Sequence, residues 1–338
     1  MKKTALAVLS AALGGVLIAG CSKSKPAPTA SNGTAPGTAT SDAAAAAPAF
    51  GDTADMRVKW PVGTKYSMRM ELVESVETQL PNQPEPMVQN INIAQNFDIG
   101  AIKALPDGGR ELELQFKSQT MEVKQNGTEA LKFDSTEPAA QDASDSIKLL
   151  LRKMIGPKLY YFTTATGSVE KLEGLDAMMN QMGFNRKSQQ QAMFKGLFSE
   201  ETLRRYGEFG DMMPNREVKL GESWNVKRTI PSEVGNIAAD MDCTFKKWEQ
   251  QNGRRCALIE TSGKMTSAPG APTGMGTPVR IEKGKLSGNV WFDPELSMVV
   301  NETINQELSL KVTAGGQNIT PQVNQRIHLS LLDVSPPR

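Results

Sequence analysis

Apolar and polar residues alternate along most of this 338-residue chain. Tyr66, Met68, Met70 and Leu72 take every second position, as do Leu112, Leu114 and Phe116, which is the spacing of strands with one buried face. Val290 and Phe292 repeat the pattern, and Ile304, Leu308, Leu310 and Val312 share one parity. Ile327, Leu329 and Leu331 form a last strand with His328 on its other face. Turn sequences punctuate these runs at Pro106-Asp107-Gly108-Gly109, Gln125-Asn126-Gly127, Ala165-Thr166-Gly167, Asn252-Gly253 and Asp293-Pro294. The pattern predicts a mainly β (α+β) protein, an antiparallel sheet or incomplete barrel with helical insertions.

The period changes in two places. Ile147, Leu150, Leu151 and Met154 follow helical spacing, with Asp142, Ser144 or Asp145 as cap and Gly156-Pro157 as stop. The second region runs from Leu172 to Met213. Leu172, Leu175, Met179 and Met182 recur at helical spacing, followed by Met193, Phe194, Leu197 and Phe198. Ser199 can cap a further helix in which Glu200–Arg204 and Glu201–Arg205 are i,i+4 pairs.

The chain also repeats itself. Gly63-Thr64-Lys65-Tyr66 resembles Gly221-Glu222-Ser223-Trp224, Gly109-Arg110-Glu111-Leu112 resembles Gly253-Arg254-Arg255-Cys256, and Tyr161-Phe162 before a turn resembles Trp291-Phe292. The offsets fall in order, as two copies with different insertions would give. The expected organisation is a first β-rich half over 56–170 with a helix near 145–155, a helical Met-rich insertion over 171–213, and a second β-rich half over 214–338.

Ahead of this body lies a different kind of sequence. Lys2 and Lys3 precede the short apolar run Thr4–Leu17, which is too short to span a bilayer, and Leu17-Ile18-Ala19-Gly20-Cys21 follows. Ser22–Asp52 is built of Ser, Thr, Ala, Pro and Gly with little to bury, so residues 21–55 read as a flexible tether spanning roughly 30 Å. The Leu17–Cys21 segment resembles the lipidation site of bacterial envelope lipoproteins. That resemblance implies a signal peptide over residues 1–20, cleavage between Gly20 and Cys21, and a diacylglycerol on the Cys21 sulfur with acylation (palmitate, for example) of its amine. Ser22 occupies the place where an inner-membrane retention signal has Asp, which implies the outer membrane, facing the periplasm, over the inner membrane.

Removing Lys2 and Lys3 takes the basic residues from 38 to 36 against 37 acids, a net charge of −1. A surface without basic excess is a poor match for phosphate backbones, so nucleic acid is not an expected partner. After lipidation of Cys21, Cys243 and Cys256 remain as a candidate disulfide. A tight hairpin at Asn252-Gly253 would place Cys243 opposite Ser262, about 20 Å along the strand from Cys256, and only a longer, irregular loop would bring the two sulfurs together.

With His328 the sole histidine, a His-based triad or a multi-imidazole zinc site is excluded. Gly108-Gly109 lacks phosphate-loop spacing, Asp240-x-Asp242 lacks the rest of a calcium loop, and Asp293 with Glu295 reads as turn chemistry. No catalytic residue, metal ligand or cofactor is therefore expected, and the protein reads as a non-enzyme. The suggestive feature is the thioether-rich face of Met178, Met179, Met182, Met193, Phe194 and Phe198, a candidate apolar-ligand or gate surface.

The Gly221-Glu222-Ser223-Trp224 start of the second half, preceded by Met213-Pro214, resembles an uncharacterised group of envelope lipoproteins whose domain of unknown function spans roughly Val58 to Val334. More loosely, Trp291-Phe292-Asp293-Pro294 before a long strand is similar to periplasmic lipoprotein carriers, incomplete barrels lidded by helices. These resemblances imply a membrane-anchored binding or interaction module with an envelope protein partner. The alternative they imply is a periplasmic carrier of a lipid or other apolar ligand in the sheet's concavity.

Overall fold

The computed structural model describes residues 51–81, 83–142, 145–182, 200–208, 210–230, 236–268, 279–314 and 317–336. The strands of the first part are β1 (Thr53–Asp55), β2 (Lys65–Thr78), β3 (Met87–Ala104), β4 (Arg110–Gln125) and β5 (Thr128–Asp134). Helix α1 (Ser146–Lys153), β6 (Lys158–Thr163), β7 (Val169–Glu173), α2 (Leu175–Met182) and α3 (Glu200–Arg204) follow, with single 3₁₀ turns at Ala139–Asp142 and Arg205–Gly207. The second part comprises β8 (Glu217–Lys219), β9 (Ser223–Ile230), β10 (Ile237–Gln251), β11 (Arg254–Ser267), β12 (Val279–Asp293), β13 (Met298–Ala314), β14 (Gln317–Ile319) and β15 (Gln322–Ser335).

Thirteen of these strands form one open sheet, ordered β7-β6-β4-β3-β2-β15-β13-β12-β11-β10-β9, with β5 on β4 and β14 on β13. Every paired strand is antiparallel to its neighbour. The last long strand lies in the middle: β15 pairs with β13 on one side and β2 on the other. It joins two hydrophobic cores, one on β2–β7 and the short helices, the other on β9–β13.

The expected alternation is present. Tyr66, Met68, Met70 and Leu72 are buried on β2, Leu112, Leu114 and Phe116 on β4, and Ile327 and Leu329 on β15. Asn126-Gly127 and Asn252-Gly253 have the positive φ pairs (49°, 76° and 51°, 77°) that suit a two-residue hairpin to sheet twist. Helix α1 is capped by Asp145, whose carboxylate accepts from the Ile147 and Lys148 amides at 2.9 and 3.3 Å.

The two parts share local geometry. Gly63 and Gly221 both have positive φ, and their amides donate to Ala101 and Phe245 carbonyls at the equivalent strand ends. One residue is skipped in the pairing just beyond each, at Ile102 on β3 and Lys246 on β10. Register also shifts at Phe162/Thr163 and at Trp291/Phe292, the third matched pair.

Four expectations are corrected. Leu172 belongs to β7, opposite Tyr161; the helix starts after Gly174, whose φ of +88° breaks the strand. The chain is already a strand at Thr53–Asp55, paired with β8, and Ala54 and Met56 are buried in the second core, so the tether stops short of residue 55. Cys243 faces Thr261, one residue away from Ser262, because the bulge at Lys246 consumes a residue. Cys243 and Cys256 are both free and buried; Cys256 sits opposite Glu249, six positions along β10 from Cys243.

Candidate functional site, the seam between the two cores

Met178 and Met182 are buried in the first core and Met179 packs partly buried against it, so these three are packing residues. Met193, Phe194 and Phe198 lie outside the described residues. The site the structure does assemble is at the seam, where the segment after α3 crosses the inner face of the sheet.

That segment is fastened at several points. The Tyr161 hydroxyl donates to the Leu203 carbonyl at 2.8 Å, and the Arg204 guanidinium donates to the Val169 and Glu170 carbonyls at the sheet's β7 edge. Gly207 lies on the Tyr161 ring, where an added Cβ would stand 2.5 Å from Cδ1. Tyr206 points into the sheet: its ring meets Phe97 and Phe116 edge-on at centroid distances of 5.4 and 5.3 Å, and its hydroxyl donates to Gln95 Oε1. Trp224 Nε1 donates to the Met212 carbonyl at 2.8 Å, tying the far end to β9.

Beneath this cover is a crevice of about 50 Å³. Met70, Phe97, Ile304, Ile327 and Leu329 form its floor, and Arg205, Tyr206 and Gly210–Met213 its roof, with Glu302 between them. A volume of that size holds a water or two, whereas pockets for drug-sized ligands run to about 300–1,000 Å³. Two larger, more open depressions lie elsewhere on the described residues, one of about 460 Å³ with Leu72, Ile93, Met121 and Phe133 in its lining and one of about 710 Å³ with Asn225, Asp240, Asp242 and Ser262 in its lining. An acyl chain at the seam itself would need the cover of Arg205, Tyr206 and Gly210–Met213 to lift.

The inner face carries acids and amides where the strand pattern calls for apolar residues. Burial pushes the Glu302 carboxyl up to about 7, the Arg228 guanidinium opposing it. Glu208, on the cover, is also pushed up to about 7 by burial with Asp211 adding, while Arg205, Arg204 and Arg228 pull it back. Glu74, 2 % exposed on β2, is pushed up to about 8, again by burial, and Gln325 donates to it at 2.7 Å. Sequence reasoning missed all of these. The signal was in the alternation itself: Glu74, Glu302, Gln306 and Gln325 occupy the inward parity of β2, β13 and β15.

The thiols and the histidine do other work. Burial raises the Cys243 thiol, which contacts Thr261 Oγ1 at 3.6 Å, and pushes Cys256 up to about 12 with Asp293 adding. Buried thiols of this kind are poor nucleophiles. His328 Nδ1 hydrogen-bonds Thr303 Oγ1 at 3.0 Å on the outer face. The Asp293 carboxylate accepts from the Glu295 and Leu296 amides, an ordinary Asx turn, and Asn225 bridges Asp240 and Asp242 on the strand surface. Among the described residues no three His, Cys, Asp or Glu side chains gather as metal ligands. No helix among them is long and apolar enough to cross a membrane.

The fold and seam define a class: an open, all-antiparallel sheet of two cores joined by its C-terminal strand, with a polar row between them. By sequence, residues 107–299 match the Family of unknown function (DUF6263), and the chain belongs to that family. No curated protein matches the chain. Among solved structures it is similar to a proposed lipoprotein of Parabacteroides distasonis ATCC 8503 (11 % identity, 83 % of this chain and 99 % of that one, TM-score 0.26). It is also similar to DynF from the dynemicin biosynthesis pathway of Micromonospora chersina (4 % identity, 81 % and 84 %, TM-score 0.21). A third is an outer membrane channel of Pseudomonas putida F1 (9 % identity, 82 % and 98 %, TM-score 0.23). At these TM-scores none of the three bears on this chain's activity.

Proposed function

We propose that this protein is a lipid-anchored protein of the cell envelope, held by acyl chains on Cys21, and that its β body is a non-enzymatic binding module for another envelope component. The observation that carries the reading is the sequence Leu17-Ile18-Ala19-Gly20-Cys21 behind Lys2, Lys3 and a short apolar run. The Pro/Ala-rich stretch to Asp52 supports it, being suited to hold a folded body off a membrane surface. Three acyl chains would anchor firmly, since each buried CH₂ is worth about 0.8 kcal/mol and one chain alone is marginal. The small volume of the seam crevice, about 50 Å³, weighs against a carrier site at that place.

The test is to express the full chain and its Cys21→Ser variant in a bacterial host fed a labelled fatty acid. The expected result is label and membrane association for the natural chain, outer-membrane density on a gradient, and neither label nor association for the variant. An unlabelled, freely soluble natural chain would overturn the anchor. For the binding half, native mass spectrometry of the released body should show no bound lipid; a co-purifying acyl chain would favour the carrier instead.

A further inference from the structure

The polar row at the seam has a feature that neither the anchor nor the binding reading uses. Glu74 on β2 pairs in register with Gln325 on β15, which pairs with Gln306 on β13. All three side chains point inward and are nearly inaccessible, at 2, 5 and 1 % exposure. The row falls between the two cores. On β2, Met70 and Leu72 belong to the first core and Val76 to the second; on β15, Ile327 and Leu329 belong to the first and Val323 to the second.

Gln325 Nε2 donates to Glu74 Oε2 at 2.7 Å. The other two oxygens of this pair, Glu74 Oε1 and Gln325 Oε1, are buried and have no donor among the described residues. Two orphan acceptors on one facing pair is a costly arrangement, because each buried acceptor left unpaired costs about 1–3 kcal/mol. A single proton removes both deficits: placed on Oε1, it makes Glu74 a donor to the Gln325 carbonyl oxygen. Gln325 already presents its amide to the same carboxyl, so the result is an acid–amide ring with two hydrogen bonds.

We propose that Glu74 is protonated in the folded protein and closes this ring with Gln325, so that the join between the first long strand and the last is a clasp that loosens when the proton leaves. Loss of the proton to solvent leaves a carboxylate and an amide oxygen facing each other in a buried site. Among the described residues no counter-charge acts on Glu74, whose carboxyl feels burial and the Gln325 hydrogen bond. The adjacent inward side chains are Leu72 and Val76 on β2, Ile91 on β3 and Gln325 on β15, with Val123 on β4 and Gln306 on β13 one strand further. Charged groups facing the same interior lie elsewhere: Glu302 on β13, Arg228 on β9, and Arg205, Glu208 and Asp211 on the cover. Glu71 and Glu77 on β2 and Arg326 on β15 have the opposite parity and face outward.

Burial raises the folded-state Glu74 pKa above its unfolded value. Below the unfolded pKa both states hold the proton, and this group's contribution to stability is complete. Between the unfolded value and about 8, the folded state holds one more proton than the unfolded state, so raising the pH costs stability, up to tenfold in the unfolding constant per pH unit.

The experiment compares the natural body with its Glu74→Gln variant. A glutamine at position 74 replaces the acid ring with an isosteric amide–amide ring that does not titrate. Urea unfolding from about pH 5 to about pH 9 brackets the ordinary glutamate pKa and the raised one. The variant should match the natural protein at the acid end and become the more stable of the two as pH rises. The difference should grow towards tenfold per unit before levelling off. Glu302 and Glu208 titrate in both proteins and cancel in the comparison. In the natural protein labelled at glutamate Cδ, the Glu74 resonance, assigned by its loss in the variant or by through-bond experiments, should titrate near 8. A Glu74 that titrates in the ordinary glutamate range, or a variant with the same pH slope as the natural protein, overturns the proposal. If the variant does not fold, the carbon titration alone decides.

Discussion

Tyr206 is the anchor of the cover, and truncating it tests whether the cover is part of the core or a strap laid across it. The residue is 8 % exposed, and its ring meets Phe97 and Phe116 edge-on. Tyr206→Ala removes that ring from a site bounded by two buried aromatics and leaves a cavity, for which the expected cost is about 3–5 kcal/mol. Within that total, each edge-to-face pair is worth about 0.5–1.5 kcal/mol beyond area burial. Tyr206→Phe keeps the ring and removes the hydroxyl. It leaves Gln95 Oε1 a buried acceptor without its donor, at about 1–3 kcal/mol. The amide and the hydroxyl together can be replaced with less loss, because two apolar groups leave nothing unpaired. The double variant Tyr206→Phe/Gln95→Leu should therefore be more stable than the sum of the single changes predicts.

The assay is urea unfolding of five proteins at one pH, the natural chain, Tyr206→Ala, Tyr206→Phe, Gln95→Leu and the double variant, followed by tryptophan fluorescence. If the cover belongs to the core, the unfolding free energy falls by the amounts above, and the midpoint by those amounts divided by the slope, while the slope stays constant. Limited proteolysis of the 200–213 segment gives a second readout. Were Tyr206→Ala to lose no more stability than Tyr206→Phe and only expose this segment to protease, the cover would be a strap, and its ring contacts would contribute little to global stability.

Two further predictions follow from the same contacts. Gly210→Ala should loosen the cover: its φ is +90°, and a Cβ would stand 2.2 Å from Val58 Cγ2. The left-handed conformation alone costs about 1–2 kcal/mol for an L-residue, so the unfolding free energy should fall by at least that and the urea midpoint with it, and an unchanged midpoint would refute the close approach. Cys243 and Cys256 should resist a thiol reagent in the folded protein and react fully in denaturant, since both are buried with raised pKa values; fast reaction of either thiol in buffer would contradict their placement.

The strands, hairpins and α1 were legible because each is specified by residues close in sequence. Alternation gives the buried face, Asn-Gly gives the turn, and Asp145 gives the cap. Three things were not legible. Alternation says which face is buried and says nothing about the neighbouring strand, so the placement of β15 between β2 and β13 was invisible. A bulge leaves no local mark: Lys246 is an ordinary exposed lysine, yet the residue it adds moves Cys243 from Ser262 to Thr261. Leu172 fits a helical period and a strand position equally well, and only its pairing with Tyr161 decides between them. The seam residues were legible in principle. Reading β2 past Leu72 finds a glutamate at the next inward position, a conflict with the pattern that marks a site to explain.

That conflict has a structural use. Antiparallel strands whose inward residues are all aliphatic can slip by two residues and still bury the same face, so hydrophobicity alone fixes a strand's face and leaves its register loose. The join of β2 and β15 is exposed to this ambiguity, because the two strands come from opposite ends of the chain and no hairpin sets their alignment. Leu72, Val76, Val323 and Ile327 would tolerate such a slip. Glu74 and Gln325 would not. A two-residue slip puts Glu74 opposite Val323 or Ile327, strands its carboxyl and leaves the Gln325 amide without its acceptor, at about 1–3 kcal/mol for each group. Replacing both with leucine should therefore preserve or raise stability while admitting the shifted alignment. Cross-strand contacts between β2 and β15 measured by NMR would reveal the shift as a second set of pairings. A single, unshifted set in the double-leucine protein would mean that the flanking strands β13 and β3 fix the register without the polar row.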